Sequence, residues 1–471
     1  MTLMTESRSA AKIMLVRLSP LQEKKMMHPL GVMPPFSLKY IQALLEKESC
    51  CDVRLFDCLI RPLSLDKLAA KAALFSFDCL VLYVDVLTYP LAVDFASRAR
   101  QYTVKPVILF GPGIGGAGIL DPSFLRIAGE AEEKVAGIIK DCMLHKDFSD
   151  SRARSHIPER EAGEITVEDI DALPFPKYSR MELERYAGIF PLRSVRKAIY
   201  GFVLSSRGCP HTCGFCSGAI RISSGSRVRV RAPGRVVDEI ESLADAGANV
   251  ISFADDDFTC SRSHVNGVCE EILRRKLTLR WIAHARFDEV SLPLLKLMKR
   301  SGCILLRFGV ESACERVLRI FNKCADPQNW GLKARAVSGW LDSLGVACDA
   351  MFIIGSPGET EKEIIETRRL CMRMNPDFIQ VHYYTPYRDS RLAADHNPEF
   401  SDRPGLQHHY IIPRRNLSSL GNYRLRQLRA SFYLRLFLNP LFLLRHLKRY
   451  GLFYIYNPRV FFSLLRMFAC F

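Results

Sequence analysis

Short apolar runs alternate with amphipathic segments in the first third of the chain, which predicts repeated strand–helix units. The apolar runs are interpreted as strands, and the segments between them place apolar residues at helical spacing. Units of this kind form a parallel sheet covered by helices on both faces. The predicted strands are Ile13–Leu18, Asp52–Phe56, Asp78–Val84 and Val107–Phe110, and the predicted helices are Phe36–Glu46, Leu65–Leu74 and Leu91–Tyr102.

The same alternation resumes between residues 200 and 390, with amphipathic segments such as Pro233–Ala246 between the apolar runs. Six strand–helix units in succession predict a (β/α)6 barrel or partial barrel. Functional residues of such a fold lie at the carboxyl ends of its strands. The predicted strands are Tyr200–Leu204, Val250–Phe253, Leu279–Ala283, Ile304–Gly309, Ala350–Ile354 and Phe378–Tyr383.

Polar and proline-containing stretches separate the two regions. Ser149–Arg160 is charged, and Asp169–Lys177 contains two prolines, which is typical of a linker. The predicted fold class is therefore α/β in four parts. These are a flavodoxin-like domain over residues 1–145, a linker over 146–195, a barrel over 196–400 and a mainly helical extension over 401–471.

Composition limits where the protein works. The chain has 471 residues, 48% hydrophobic content and 16 cysteines, and it is too long for a small disulfide-stabilised fold. No signal peptide is visible and no apolar stretch approaches 18 residues. We therefore expect reduced thiols and a cytoplasmic protein.

The net charge of +16 is unevenly distributed, because twelve Lys or Arg and no acidic residue follow Asp402. The same region is rich in Phe, Leu and Tyr, which suits a helix lying on anionic lipid at the inner face of a membrane. A helical cap packed on the barrel, with its Arg face in water, is the equal alternative. Nucleic acid is disfavoured because no recognised binding motif accompanies the charge.

Three cysteines lie close together just after the first barrel strand, at Cys209, Cys213 and Cys216. Their C-x3-C-x2-C spacing can hold three irons of a 4Fe–4S cube and leave the fourth iron open to another ligand. Phe215 could shield such a cluster from water. Two alternatives stay open: a chance cluster, or a zinc loop with a distant fourth ligand, since three thiolates do not complete a four-cysteine zinc site.

The loop resembles the signature of radical S-adenosylmethionine (radical SAM) enzymes, and similar segments extend the resemblance across residues 200–390. They are Ile251–Thr259, Phe308–Ser312, Gly355–Thr360 and Thr385–Tyr387. The resemblance is to the branch with a cobalamin-binding domain, which includes Mg-protoporphyrin monomethyl ester cyclase-like proteins and C-methyltransferases. One departure is Arg388-Asp389-Ser390, where that branch often has Pro-Gly-Thr.

The resemblance implies sites for S-adenosylmethionine (SAM) at the strand ends. Asp255 or Asp256 would accept from its ammonium group, Glu311 from its ribose hydroxyls, and Arg286 or Arg307 would face its carboxylate. Each acid could instead cap a helix, as Glu359 could for the helix predicted after it. Gly355 lies in the turn after the fifth barrel strand and is a further candidate contact.

The first domain resembles the cobalamin-binding domain of that branch, through His28-Pro29-Leu30-Gly31 with Pro34-Pro35, and through Ala128–Glu132. The Asp-x-His-x-x-Gly motif that supplies a lower histidine ligand to cobalt is absent. We therefore expect cobalamin without a protein histidine on cobalt, or a vestigial domain that binds nothing. The run Gly111, Gly113, Gly115 and Gly116 would then contact the cobalamin nucleotide tail; Pro112 and the late position of the run argue against a dinucleotide site.

Three functions follow as hypotheses. The first is an enzyme that reductively cleaves SAM at a 4Fe–4S cluster and, with cobalamin, modifies an unactivated carbon by methyl transfer or by cyclisation or ring rearrangement. Its substrate would be a small molecule or lipid-like, and its electron donor a flavodoxin or ferredoxin. The second is an iron–sulfur electron-transfer or scaffold protein, and the third is a basic protein that binds membrane or nucleic acid through its tail.

Overall fold

Two parallel sheets organise the chain in its computed structural model. The structure describes residues 10–19, 32–47, 51–85, 88–101, 105–111, 114, 124–149, 166–186, 191–193, 195–216, 227–386, 390–392 and 416–458. The first sheet has five strands and the second has six. The predicted α/β class is confirmed, and both sheets are parallel throughout.

The first sheet has the strand order β2–β1–β3–β4–β5, which is the flavodoxin-like order. Side chains alternate across β1, so Ile13 and Leu15 pack among residues of α1 and α4 while Met14 and Val16 pack among those of α2 and α3. This burial on both faces explains the continuous apolar runs. The elements are β1 Ala11–Arg17, α1 Phe36–Glu46, β2 Cys51–Asp57, α2 Leu65–Phe75, β3 Cys79–Tyr83, α3 Tyr89–Arg100, β4 Val107–Phe110, β5 Leu125–Ile127 and α4 Glu132–Leu144.

The second sheet has the order β13–β12–β11–β10–β9–β6, with β6 and β13 at its two edges. Leu306, Phe308 and Val310 of β11 pack in the core with the surrounding helices. The alternate residues of β11, including Arg307, therefore lie on the opposite face. The strands are β6 Tyr200–Val203, β9 Val250–Phe253, β10 Arg280–Ala285, β11 Cys303–Glu311, β12 Ala347–Ile354 and β13 Phe378–Tyr383.

Helices alternate with the strands of this partial barrel. They are α6 Pro233–Asp245, α7 Arg262–Arg274, α8 Leu292–Arg300, α9 Glu315–Ile320, α10 Trp330–Leu344 and α11 Glu361–Met374, and a short helix, α5 Arg180–Leu183, precedes the barrel. A small antiparallel pair, β7 Ser206–Arg207 with β8 Arg229–Val230, lies outside the main sheet. The cysteine loop begins directly after β7.

A buried ion-pair cluster joins the first domain to β7 and β8, and we call it the interdomain clasp. It consists of Glu130, Glu132, Arg207 and Arg229. Arg229 donates to both carboxylate oxygens of Glu130, at 2.6 and 2.7 Å, and Arg207 donates to Glu132 at 3.1 Å. All four side chains are buried. Since Glu130 follows β5 and Arg207 precedes the cysteines, the clasp ties the carboxyl edge of the first sheet to the cysteine loop.

The C-terminal extension forms two helices, α12 Asn422–Phe437 and α13 Pro440–Tyr456. The α12 helix covers the edge of the barrel sheet. The hydroxyl of Tyr433 accepts from the Val381 amide at 3.0 Å, and Arg429 Nε donates to the Val381 carbonyl at 2.8 Å. These bonds satisfy backbone groups of β13 that have no neighbouring strand, so α12 is a cap on the barrel.

The α13 helix is fixed to the outside of the barrel by charged groups. Arg449 donates to Asp377 and Asp342, at 2.8 and 2.5 Å, and Arg445 donates to the carbonyl oxygens of Asn375 and Pro376. None of the helices within the described ranges has both the length and the apolar content needed to cross a bilayer.

Candidate active site

The cysteine loop lies at the carboxyl edge of the barrel sheet. Gly208 has a φ of +90°, a conformation that favours glycine, and it turns the chain from β7 into the loop. Cys209, Cys213 and Cys216 are half-buried free thiols, and the Cys216 amide donates to the Cys213 carbonyl at 3.2 Å. Burial raises the pKa of Cys209 to about 11 and that of Cys216 to about 12. A bound metal would favour the thiolate form of these two cysteines.

Backbone contacts from distant segments fix the shape of the loop. The Gly214 amide donates to the Phe321 carbonyl at 2.7 Å, and the Leu392 amide donates to the Gly214 carbonyl at 3.0 Å. A Cβ at position 214 would lie 3.0 Å from the Leu392 side chain, so a larger residue there would force Leu392 to move. The Asn322 amide group also donates to the Thr212 hydroxyl at 2.7 Å.

Aromatic rings form one wall of the loop. The ring centroid of Phe215 lies 4.9 Å from that of Phe321, which in turn stacks on Tyr384 at 5.9 Å. Phe215 thus lies between the second and third cysteines with an apolar surface behind it. This placement suits the water-shielding role predicted for Phe215.

A polar network behind the loop was not predicted from the sequence. His211 Nε2 lies 2.6 Å from Glu289 Oε1 and 3.5 Å from Asp257 Oδ2, and the Thr259 hydroxyl oxygen lies within hydrogen-bond distance of both carboxylates. Burial alone would lower the pKa of His211, but hydrogen bonds to the two carboxylates raise it to about 8. The network anchors the first turn of the loop to the strand ends of β9 and β10.

This network gives the zinc alternative a concrete form. Among the described residues, Cys209, His211 and Asp257 place one ligand atom each within 4.8 Å of one another, which is close enough for a metal ion. A sulfur, nitrogen and oxygen donor set suits zinc. Such a site would use only one of the three cysteines, so it leaves Cys213 and Cys216 unexplained.

The structure distinguishes the two arginines proposed for the SAM carboxylate. Arg286 Nη1 lies 3.8 Å from Cys213 Sγ and also pairs with Asp288. Arg307 lies in a polar row on the face of the sheet away from the helices, where it pairs with Asp349 at 3.1 Å and donates to His284 Nε2 at 3.0 Å. Of the two, Arg286 is the one beside the cysteines.

The two aspartates proposed for the SAM ammonium also differ. Asp255 is buried, and its Oδ1 accepts from the hydroxyls of Ser205 and Ser206 at 3.0 and 2.5 Å. Burial raises its pKa to about 6. Its other oxygen is buried without a hydrogen-bond partner, whereas Asp256 is exposed. Asp255 is therefore a buried carboxylate held by Ser205 and Ser206, whereas the side chain of Asp256 is accessible to a ligand.

Glu311 takes part in a buried ion pair that the sequence did not reveal. Lys323 Nζ donates to Glu311 Oε1 at 3.0 Å, and Glu311 has a φ of +62°. A Cβ at Gly309 would collide with the ends of both side chains, so the pair would have to shift. The contact of Glu311 with a ribose hydroxyl stays a prediction.

Gly355 and Glu359 form a closed turn after β12. Gly355, with a φ of +84°, donates its amide to Glu359 Oε2 at 2.6 Å, and the Ser356 amide donates to the same oxygen. Burial raises the pKa of Glu359 to about 7. The suggestion that Glu359 caps the following helix is wrong, because Thr360 caps α11 in a capping box with Glu363.

The glycines proposed for the cobalamin tail are only partly described. Gly111 has a φ of +124°, and a Cβ there would come within 2.5 Å of the Val84 carbonyl oxygen, so the chain itself requires glycine. Gly113, Gly115 and Gly116 lie outside the described residues. His145, at the end of α4, is the sole histidine among the described residues of the first domain.

Comparison with known proteins identifies the barrel. The radical SAM superfamily profile matches residues 203–371, which include all three cysteines and the strands β9 to β12. Residues 203–371 are thus a radical SAM domain. This domain implies a 4Fe–4S cluster and SAM as cofactors, and it favours the enzyme over the electron-transfer or scaffold alternative.

Similar proteins cover most of the chain. An uncharacterised methyltransferase of Pyrococcus horikoshii is 27% identical over 76% of this chain and 77% of its own length. The anaerobic magnesium-protoporphyrin IX monomethyl ester cyclase of Rubrivivax gelatinosus is 26% identical over 88% of this chain and 75% of its own length.

Solved structures share the fold at low sequence identity. The radical SAM methyltransferase TsrM of Kitasatospora setae, with cobalamin and a 4Fe–4S cluster bound, matches with a TM-score of 0.64 at 16% identity. The match covers 82% of this chain and 74% of TsrM. The cobalamin-dependent radical enzyme OxsB matches with a TM-score of 0.57 at 17% identity, over 87% of this chain and 58% of OxsB.

Proposed function

We propose that this protein is a cobalamin-dependent radical SAM enzyme that modifies an unactivated carbon of a small organic or lipid-like substrate, most favourably by methyl transfer. The observation that carries the proposal is the interdomain clasp. It turns the carboxyl edge of a flavodoxin-like sheet toward the cysteine loop of a radical SAM barrel. Ligands of both folds bind at the carboxyl ends of the strands, so two cofactors would meet there.

The residues around the loop fit the cluster and SAM. Cys209, Cys213 and Cys216 would hold three irons, and Arg286 would bind the SAM carboxylate beside Cys213. Asp256 would accept from the SAM ammonium, and Glu311 from the ribose. When bound, these groups supply one-electron cleavage of the SAM carbon–sulfur bond, and cobalamin supplies a methyl group.

The first domain offers a place for cobalamin without a histidine on cobalt. In the flavodoxin-like strand order, the ligand crevice lies where the order reverses, between β1 and β3. Gly111, at the end of β4, leaves the adjoining edge without a side chain. Within the described part of this domain, His145 lies at the end of a helix rather than at a strand end. We therefore propose base-off cobalamin with no histidine ligand.

The substrate would bind on the face of the barrel sheet that is turned away from the helices. His284, Arg307 and Asp349 lie side by side on β10, β11 and β12. Burial, together with the Arg307 charge, lowers the pKa of His284 to about 3, so its ring is neutral. A polar row of this kind would orient a polar group of the substrate. A flavodoxin or ferredoxin would supply the electron.

Oxidative cyclisation is the second candidate. It is favoured by the Rubrivivax gelatinosus cyclase, which aligns with 88% of this chain. The two outcomes differ in the fate of the methyl group of SAM: methyl transfer places it on the product, whereas cyclisation does not. Isotope-labelled SAM methyl distinguishes them once a substrate is found.

The test of the enzyme is the reconstituted protein with dithionite and SAM, assayed for 5′-deoxyadenosine. Replacing Cys209, Cys213 or Cys216 by Ala should abolish the visible absorption of the cluster and all SAM cleavage. The matched controls Cys260→Ala and Cys303→Ala should change neither. A triple variant that still held about four irons per chain and cleaved SAM would refute the cluster assignment.

The mononuclear zinc alternative has its own control. His211→Ala should leave the iron content unchanged, because His211 is not a cluster ligand in our proposal. If His211→Ala lost metal while Cys216→Ala kept it, the site would be the one formed by Cys209, His211 and Asp257. For cobalamin, protein given hydroxocobalamin should retain about one per chain, and its Co(II) form should show no histidine nitrogen splitting.

A further inference from the structure

The outer face of α13 presents a row of apolar side chains to solvent. Four apolar residues, Leu441, Leu444, Leu452 and Ile455, with Lys448 in the middle of the row, recur at steps of three or four residues and so lie on one face of the helix. We call these five residues the α13 outer face. Its leucines and Ile455 are between 68% and 77% exposed. The opposite side of α13 is buried through Phe442, His446, Tyr450 and Phe453.

Exposed apolar residues are concentrated here. Ten of the sixteen exposed large apolar side chains among the described residues lie between Tyr423 and Tyr456. Elsewhere they are scattered, as with Leu74, Leu144 and Leu332, which is ordinary for a folded protein. A contiguous apolar row of this kind marks an interaction surface.

The surrounding charge selects the partner. Arg426 and Arg435 are exposed on α12, and Lys448 is exposed on α13. No acidic residue follows Asp402 in the sequence. If a second copy of the chain packed on this face, its cationic side chains would lie next to those of the first copy, and the like charges would repel each other. Residues 459–471 add Arg459 and Arg466 without any acid, so they bring no counter-charge either. An occupant that is both apolar and negatively charged fits best.

We propose that the α13 outer face docks on an anionic lipid bilayer while α12 seals the barrel. The two alternatives for the tail then apply to different helices: α12 is the cap and α13 is the membrane contact. The Arg445 and Arg449 bonds to the barrel hold α13 in place, so the face would be presented as a rigid surface. A helix of this kind lies in the plane of the interface, so attachment would be peripheral and salt-sensitive.

The test is co-sedimentation of the full chain with vesicles of phosphatidylglycerol and phosphatidylcholine in equal parts, and with phosphatidylcholine alone, at low and high salt. We expect binding to the anionic vesicles at low salt only. The triple variant Leu441→Ser, Leu444→Ser and Leu452→Ser should lose about a thousandfold or more in partitioning, because each of the three buried leucines contributes a factor of about ten or more.

The matched control carries the same change at exposed leucines elsewhere: Leu74→Ser, Leu144→Ser and Leu332→Ser. It should bind like the unchanged protein. Equal binding by both triple variants, or negligible binding by the unchanged protein, would overturn the proposal. A dimer of the unchanged protein that the α13 variant converts to monomer would also overturn it, in favour of a second copy. Cleavage of SAM by the α13 variant should be unaffected, so this test is separate from that of the enzyme.

Discussion

Replacing Glu130 by Gln should destabilise the protein strongly, because Glu130 is the centre of the interdomain clasp. It is 5% exposed, and it accepts two bonds from Arg229 and one from the Val167 amide. Its carboxylate also lies 3.4 Å from the guanidinium of Arg207. Gln keeps the shape but removes the charge, so the buried guanidinium of Arg229 loses its carboxylate contact and that of Arg207 keeps only Glu132.

The expected cost is about 3–5 kcal/mol, the range for removing one partner of a buried ion pair. In urea denaturation followed by circular dichroism, this corresponds to a midpoint lowered by roughly 1–3 M. The matched control is Glu315→Gln, since Glu315 pairs with Arg319 at 2.6 Å but has a side chain 43% exposed. An exposed pair of this kind contributes about 0–1 kcal/mol.

The pH dependence gives a second check. Burial would raise the pKa of Glu130, but the Arg229 hydrogen bonds and the Arg207 charge hold it below its ordinary value. A carboxyl with a lowered pKa in the folded state stabilises the protein above the pKa of the unfolded chain, about 4.3, and this contribution is lost as the pH falls through the folded value. The difference between the unchanged protein and Glu130→Gln should therefore shrink in acid. Equal midpoint shifts for Glu130→Gln and Glu315→Gln at neutral pH would refute the reasoning.

Three further predictions follow from the site and its surroundings. Gly309→Ala should separate the Glu311–Lys323 pair and weaken SAM binding at least about tenfold in equilibrium dialysis. The control Gly339→Ala, on an open helix surface, should leave SAM binding unchanged and should leave the free energy of unfolding unchanged or raise it by about 1 kcal/mol. Because burial raises the pKa of Glu359 to about 7, stability should fall as pH rises from about 4.3 to 7, and Glu359→Gln should remove that slope in denaturation curves. Ending the chain at residue 420 should give insoluble protein, whereas ending it at residue 439 should leave it soluble; the reverse would contradict the assignment of α12 as the cap.

The strands were predictable because buried parallel strands are nearly continuous apolar runs. β4, β9 and β13 begin and end where predicted. β12 begins at Ala347 rather than Ala350, because Asp349 interrupts the apolar pattern. Asp349 is bonded to Arg307 and Gln380, which lie on the two neighbouring strands and offset the cost of burying its carboxylate. Both partners are distant from Asp349 in the sequence. β5 was missed because three residues carry too little periodicity to detect.

The cysteine loop was predictable because its chemistry lies within eight residues of chain. The groups that position it are not local. His211 meets Glu289, and Arg207 meets Glu132, across separations of 78 and 75 residues. Either cation could have paired with many other acids in the sequence. The fold of the barrel selects Glu289 for His211, and the packing of the two domains selects Glu132 for Arg207.

The α12 cap has a consequence for synthesis on the ribosome. The last residue of β13, Tyr383, is synthesised fifty residues before Tyr433, whose hydroxyl accepts the hydrogen bond from the Val381 amide on the edge of β13. At about 5–20 residues per second, the barrel edge stays open for roughly 3–10 seconds in each newly made chain. During that interval an unpaired strand can recruit the same strand of a neighbouring nascent chain on a polysome. Slow translation between β13 and α12 should therefore lower the yield of folded protein, although it changes no residue of the finished enzyme.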